Sequence, residues 1–95
     1  MKQELINRIV KFRDERGWRG DQTAEALAKS LAIKSAYLLE QYQWASKEKN
    51  IDEVKSDFAD LMIYAVLFAE KYGFDFEQIL EEQLKKNEIR FPVVK

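Results

Sequence analysis

The chain has no cysteine, no histidine, one proline and three glycines. The first two absences exclude a thiol nucleophile, a histidine base and a zinc site of the usual kind. Oxygen donors, chiefly carboxylates, are then the only ligands left for a metal, and they suit hard ions such as Mg²⁺ or Mn²⁺. Gly17, Gly20 and Gly73 are too scattered to make a phosphate-cradling loop. No apolar run approaches the ~18–20 residues that span a bilayer. A net charge of −1 gives no electrostatic basis for binding nucleic acid or a membrane surface. The lack of cysteine accords with a cytoplasmic protein. The N-terminus, MKQELINRIV, mixes charged and apolar residues and reads as a helix, not a signal peptide.

What is present is a folded composition. Ninety-five residues, 46% hydrophobic and 13% aromatic, make one domain over 1–95 with a modest core. Its centre is Asp57–Glu70, DFADLMIYAVLFAE. From 57 to 69 every residue but Asp57, Asp60 and Tyr64 is apolar. A helix apolar on nearly all sides is buried on nearly all sides. Asp57 and Asp60 share a face, and Tyr64 lies one turn further on. Buried carboxylates need a cation, a metal or donors beside them.

The other elements follow in order. Residues 2–16 place Leu5, Ile6, Ile9, Val10 and Phe12 at near-helical spacing, with Gly17 as a stop. GWRGDQT at 17–23 is a loop whose Trp18 either covers a pocket or caps the core. Thr23 is a good N-cap for a helix from Ala24 to about Ala45, with Glu25 in its first turn. Leu27, Leu31, Leu38 and Tyr42 stay on one stripe of it. SKEKN at 46–50 is a loop, and Asp52 is a candidate N-cap for a third helix ending at Gly73. Asp75 caps a fourth, with Gln78 at the capping-box position, and Pro92 ends it. With no strand-like alternation the chain is all-α, a four-helix bundle. So apolar a third helix predicts completion by dimerisation.

Three sets of residues could carry chemistry. Asp57 and Asp60 are either ligands for Mg²⁺ or a structural pair neutralised by a base. On the second helix, Lys34 and Tyr37 share a face, with Glu40 one turn on and Trp44 beyond. If that helix runs antiparallel to the third, Lys34 is a ready cation for the two aspartates. Trp44 either stacks a planar ring or packs in the core. The run KKNEIRFP at 85–92 sets Lys85, Lys86 and Arg90 beside Asn87. It either contacts phosphate or merely complements a helix C-terminus.

Taken together, RDERGW at 13–18, LAKSLAI at 27–33, LLEQYQW at 38–44, DLMIYAVLFAEKYGFD at 60–75 and KKNEIRFP at 85–92 resemble the MazG-like nucleoside triphosphate pyrophosphohydrolases, in particular the dCTPase-like branch. The resemblance implies an all-α protein that forms a homodimer or a dimer of dimers. It also implies a reaction that splits a nucleoside triphosphate into monophosphate and pyrophosphate, with Mg²⁺ on carboxylates of two helices. The implied ligand motif is E-x-x-E on the second helix and E-x-x-D on the third. Here the first pair falls on Lys34 and Tyr37 and the second on Asp57 and Asp60, so the motif is degenerate. Trp44 and Tyr64 correspond to positions around base and sugar, and Lys86 and Asn87 to a substrate-contacting segment. Thr23 matches the loop before the second helix, where Ala24 replaces a usual proline and Gln22 a frequent histidine. Both changes bear on that loop's part in substrate binding.

Repulsion between an ammonium and Mg²⁺ at ~4 Å is roughly 2 kcal/mol even in a water-like dielectric. Lys34 is therefore expected to replace the metal as counter-charge, with its nitrogen within about 6 Å of Asp57 or Asp60. Three readings follow. The first is an enzyme using Asp57, Asp60 and Glu40 or Glu53 as substitute ligands. The second is a module that holds a nucleotide between Trp44 and Tyr64 without cleaving it. The third is a dimeric interaction protein whose pocket is filled by Lys34 and Tyr37.

Overall fold

A computed structural model describes residues 1–94. It contains helices α1 (Gln3–Glu15), α2 (Ala24–Glu40), α3 (Ile51–Lys71) and α4 (Phe76–Arg90). No strand occurs among the described residues, as the all-α expectation requires.

Local chemistry places most helix ends. Thr23 Oγ1 accepts from the Ala26 amide at 3.1 Å and starts α2. Asp75 does the same for α4, accepting from the Gln78 amide at 3.0 Å. Gln78 does not reach back to close a capping box; its side chain donates to Glu82 one turn on. Gly17 and Gly73 both adopt φ of 69°. After each, two amides bond back to the helix in the Schellman pattern: Gly17 to Asp14 and Trp18 to Arg13, Gly73 to Glu70 and Phe74 to Ala69.

Two boundaries differ from expectation. The third helix is capped by Asn50, whose Oδ1 accepts from the amides of Asp52 and Glu53, so Asp52 is not the cap. The second helix stops at Glu40 instead of running to Ala45. The amides of Gln41, Tyr42 and Gln43 each bond three residues back, which tightens the last turn and ends the helix. The buried Gln41 side chain holds this exit in place. Its Oε1 accepts from the Asn50 amide at 2.8 Å and its Nε2 donates to Glu53 Oε2 at 2.7 Å. A tertiary hydrogen-bond pair outweighs the helical propensity of 41–45.

Packing is uneven. The helices α2 and α3 form an extensive antiparallel pair, and α1 lies across α3. Lys34 faces Asp60 and Gln41 faces Glu53, so the register advances by equal steps on both helices. The helix α4 packs extensively on none of the others. The fully covered core is small: Leu27, Val66, Leu67 and Ala69. Leu39, Ile51 and Phe58, towards the open end of the α2–α3 pair, are exposed. The accessible surface is 7788 Å² for an 11.3 kDa chain, against about 5,700 Å² for a compact monomer of that mass. The radius of gyration is 16.1 Å, where about 12 Å is usual. No helix among the described residues is long and apolar enough to cross a membrane.

The Gly73 stop is testable. An L side chain at this left-handed φ costs about 1–2 kcal/mol. Nothing lies within 4 Å of an added Cβ, so strain alone acts. Gly73→Ala is expected to lower the melting temperature by roughly 4–8 °C per kcal/mol, read by circular dichroism.

Candidate functional site

The site is built where α1 crosses the α2–α3 pair. What fixes that crossing is Arg13, which has no solvent exposure. Its Nη1 donates to Glu70 Oε2 at 2.6 Å and its Nε to Asp14 Oδ1 at 3.0 Å. Nη2 lies 2.9 Å from Asp14 but makes no hydrogen bond. Both ion-paired groups are shifted. The Arg13 hydrogen bond pulls the Glu70 carboxyl below its ordinary value, outweighing the upward push of burial. Glu70 in turn raises the Arg13 guanidinium. The loop between α1 and α2 is tied down separately, since Lys71 Nζ donates to the Arg19 carbonyl at 2.6 Å.

A cavity of about 370 Å³ opens between α1, the 17–23 loop, α2 and α3. Its polar lining is Arg8, Arg13, Gln22, Lys34 and Asp60, joined by Tyr64. The rest is apolar, with Phe12 and Trp18 in an edge-to-face pair at 5.8 Å. Gln22 Oε1 is a buried acceptor with no partner. A wider cleft of about 1020 Å³ lies on the other side of α1, below the first turn of α4. None of the expected site residues lines it.

Lys34 Nζ lies 3.5 Å from Asp60 Oδ2, well inside the expected ~6 Å. The bond is long and partly exposed, so it contributes about 0–1 kcal/mol. No ion pair joins Lys34 to Asp57, which is half-buried one turn away. Lys34 Nζ is also 5.2 Å from the Tyr37 ring. Tyr37 itself is 48% exposed and does not line the cavity, so of the two residues expected to fill the pocket only Lys34 does so.

Lys34, Asp60 and Tyr64 therefore come together. Trp44 does not join them: it sits beyond the end of α2 and is 87% exposed, so it neither packs in the core nor faces Tyr64 across the cavity. Lys86 and Asn87 lie on α4, away from the cavity, and Asn87 accepts from Gln83. Arg8 was not legible as a site residue, because an arginine on an amphipathic helix looks like any solvated charge. Trp18 carried a weak signal, as an isolated tryptophan in a glycine-flanked loop.

The donor set does not suit Mg²⁺. Among the described residues no three Asp or Glu side chains are grouped closely enough to hold a metal, so Glu40 does not complete a set with Asp57 and Asp60. The one well-placed carboxylate, Asp60, already has an ammonium beside it. An oxygen-ligand site needs more anionic donors than this and no adjacent cation.

The site thus sits on an all-α hairpin of two long helices, crossed by a third over an aromatic-and-cationic cavity. The MazG-like family profile matches residues 22–95, over three quarters of the chain, and the chain belongs to that family. A solved structure from Archaeoglobus fulgidus, described as a pyrophosphatase, is similar with a TM-score of 0.88 and 29% identity. The alignment covers 96% of this chain and 92% of that one. No curated protein sequence matches.

The ion pair predicts an acid limit. Glu70 has a depressed carboxyl, so its contribution is complete above the ordinary value of about 4.3 and is lost as pH falls through the folded one. Glu70→Gln is expected to destabilise at pH 7 by the lower part of ~3–5 kcal/mol, because Arg13 stays buried without its main anion. The variant should also lose part of the wild-type stability decline below about pH 4. Urea melts across that range measure both effects.

Proposed function

We propose that the protein has the nucleotide pyrophosphohydrolase-type function of its family, in the dCTPase-like branch, with a metal centre degraded at Lys34 and Tyr37. The observation that carries this reading is the Lys34 ammonium beside Asp60, at the mouth of a cavity that still suits a nucleotide. The likeness to the Archaeoglobus pyrophosphatase supports the reaction class: hydrolysis of an NTP or dNTP to monophosphate and pyrophosphate. In this reading the protein acts on free nucleotides in the cytoplasm, with no nucleic-acid or membrane partner.

The chain's own residues divide the work. Aromatic walls from Phe12, Trp18 and Tyr64 take a planar ring. Lys34 and Arg8 face the anionic end. Asp60 orients Lys34, and Asp57 keeps a second carboxylate one turn away. The family expectation of Mg²⁺ meets about 2 kcal/mol of added repulsion from Lys34, besides the loss of two anionic ligands. Mg²⁺-dependent turnover is correspondingly weak.

A dimer belongs to the same reading. The surface exceeds that of a compact monomer by about 2,000 Å². That is more than the ~800 Å² each partner buries in a standard interface. Leu39, Ile51 and Phe58 are among the exposed large apolar side chains. A second copy covering the open end of the α2–α3 pair accounts for the excess, alone or within a dimer of dimers. An inactive paralogue that only binds nucleotide or dimerises is the rival, and the replacement of two carboxylates by Lys34 and Tyr37 is what favours it.

Two measurements separate these. Pyrophosphate release is followed with a coupled inorganic pyrophosphatase over the common NTPs and dNTPs, with Mg²⁺ and Mn²⁺. The double change Lys34→Glu with Tyr37→Glu is expected to raise turnover about thirtyfold or more, the equivalent of ~2 kcal/mol. A wild-type rate equal to that of the double variant would overturn the degraded-metal reading. Light scattering at micromolar concentration is expected to give at least twice the 11.3 kDa chain mass, and a clean monomer would sink the dimer.

A further inference from the structure

The mismatch between this site and a divalent cation has a positive counterpart. A site for Mg²⁺ is walled by carboxylates, which keep phosphate away until the metal arrives. Here the polarity is reversed. Three cations, Arg8, Arg13 and Lys34, line the cavity against one carboxylate, Asp60. Arg13 is engaged by Glu70 and Asp14, but the other two are available. Arg8 makes no ion pair or side-chain hydrogen bond among the described residues. Lys34 is held loosely, by a 3.5 Å bond to the 47%-exposed Asp60 and by the half-exposed Tyr37 ring at 5.2 Å.

We infer that the cavity binds the phosphate groups of a nucleotide directly through Lys34 and Arg8, with no divalent metal. This deepens the proposed function and rests on its nucleotide pocket. The geometry is bipartite. Trp18, Phe12 and Tyr64 form the apolar part, and the buried, unpartnered Gln22 Oε1 is an acceptor for a ring amino group. The two cations form the anion-binding part. Charge-assisted bonds from an ammonium and a guanidinium to phosphate oxygens are stronger than neutral ones and depend on salt. An aromatic heterocycle carrying phosphate matches both halves; a free nucleoside matches only one.

The test is calorimetric titration and thermal shift on the intact protein in excess EDTA. The probes are the four deoxynucleosides, their 5′-mono- and triphosphates, and inorganic pyrophosphate. At least one triphosphate is expected to bind in EDTA, more tightly than its monophosphate, with the nucleoside weakest. Lys34→Gln and Arg8→Gln are each expected to weaken that triphosphate about tenfold and leave the nucleoside unchanged. Far-ultraviolet circular dichroism checks that each variant folds. The pair Lys34→Glu with Tyr37→Glu is expected to invert the dependence, binding only when Mg²⁺ is added. Triphosphate binding by the wild type only with Mg²⁺ would overturn metal-free binding while leaving the nucleotide pocket standing. Equal affinity for nucleoside and triphosphate would overturn the role of the two cations. No binding with or without Mg²⁺ would overturn the inference and the pocket reading together.

Discussion

A guanidinium with no solvent exposure is stable only if an anion meets it, and in this protein that anion arrives from another helix. Arg13 on α1 and Glu70 on α3 are 57 positions apart and 2.6 Å from each other. Each stands in the last turn of its helix, just before a glycine stop. The pair therefore fixes where α1 ends against where α3 ends. Desolvating the arginine makes this geometry obligatory, because any displacement leaves a buried charge without its counter-ion. The cavity depends on it directly: Arg8 and Phe12 are placed over α3 by the same helix that Arg13 anchors, and Trp18 follows from the turn it closes.

The second constraint is the antiparallel register of α2 and α3. Gln41 meets Glu53 at one level and Lys34 meets Asp60 two turns away. These contacts differ in kind. The Gln41 side chain is buried, bonds at both ends and ends a helix. The Lys34–Asp60 pair is long, partly exposed and energetically slight. The register is thus held by the first and by apolar packing, which leaves Lys34 and Asp60 free to face the cavity. A strong structural salt bridge would lock these two charges together; this weak one does not.

The remaining surface carries more exposed area than a compact chain of this mass would. The core is confined to the crossing of α1 with the α2–α3 pair, while α4 and the open end of the pair carry apolar side chains into solvent. Trp44, beyond the end of α2, and Lys86 and Asn87, on α4, stand apart from the cavity for the same reason: neither segment packs against the α1 crossing.

Four helices, their order and most of their ends were legible in the residues, because caps and stops are short-range events. Thr23 and Asp75 accept from amides three residues on, and a glycine at positive φ ends a helix whatever surrounds it. Of the site, Lys34, Asp60 and Tyr64 were legible through periodicity and resemblance. The early end of α2, the buried Arg13–Glu70 pair and the place of Arg8 and Trp18 in the cavity were not. Each depends on a partner 9 to 57 residues away or on which face of a helix is covered. Propensity within a segment carries no record of such partners. Nearest-neighbour chemistry decided the helices, and desolvation on packing decided which charges pair, which stay free and where the cavity lies.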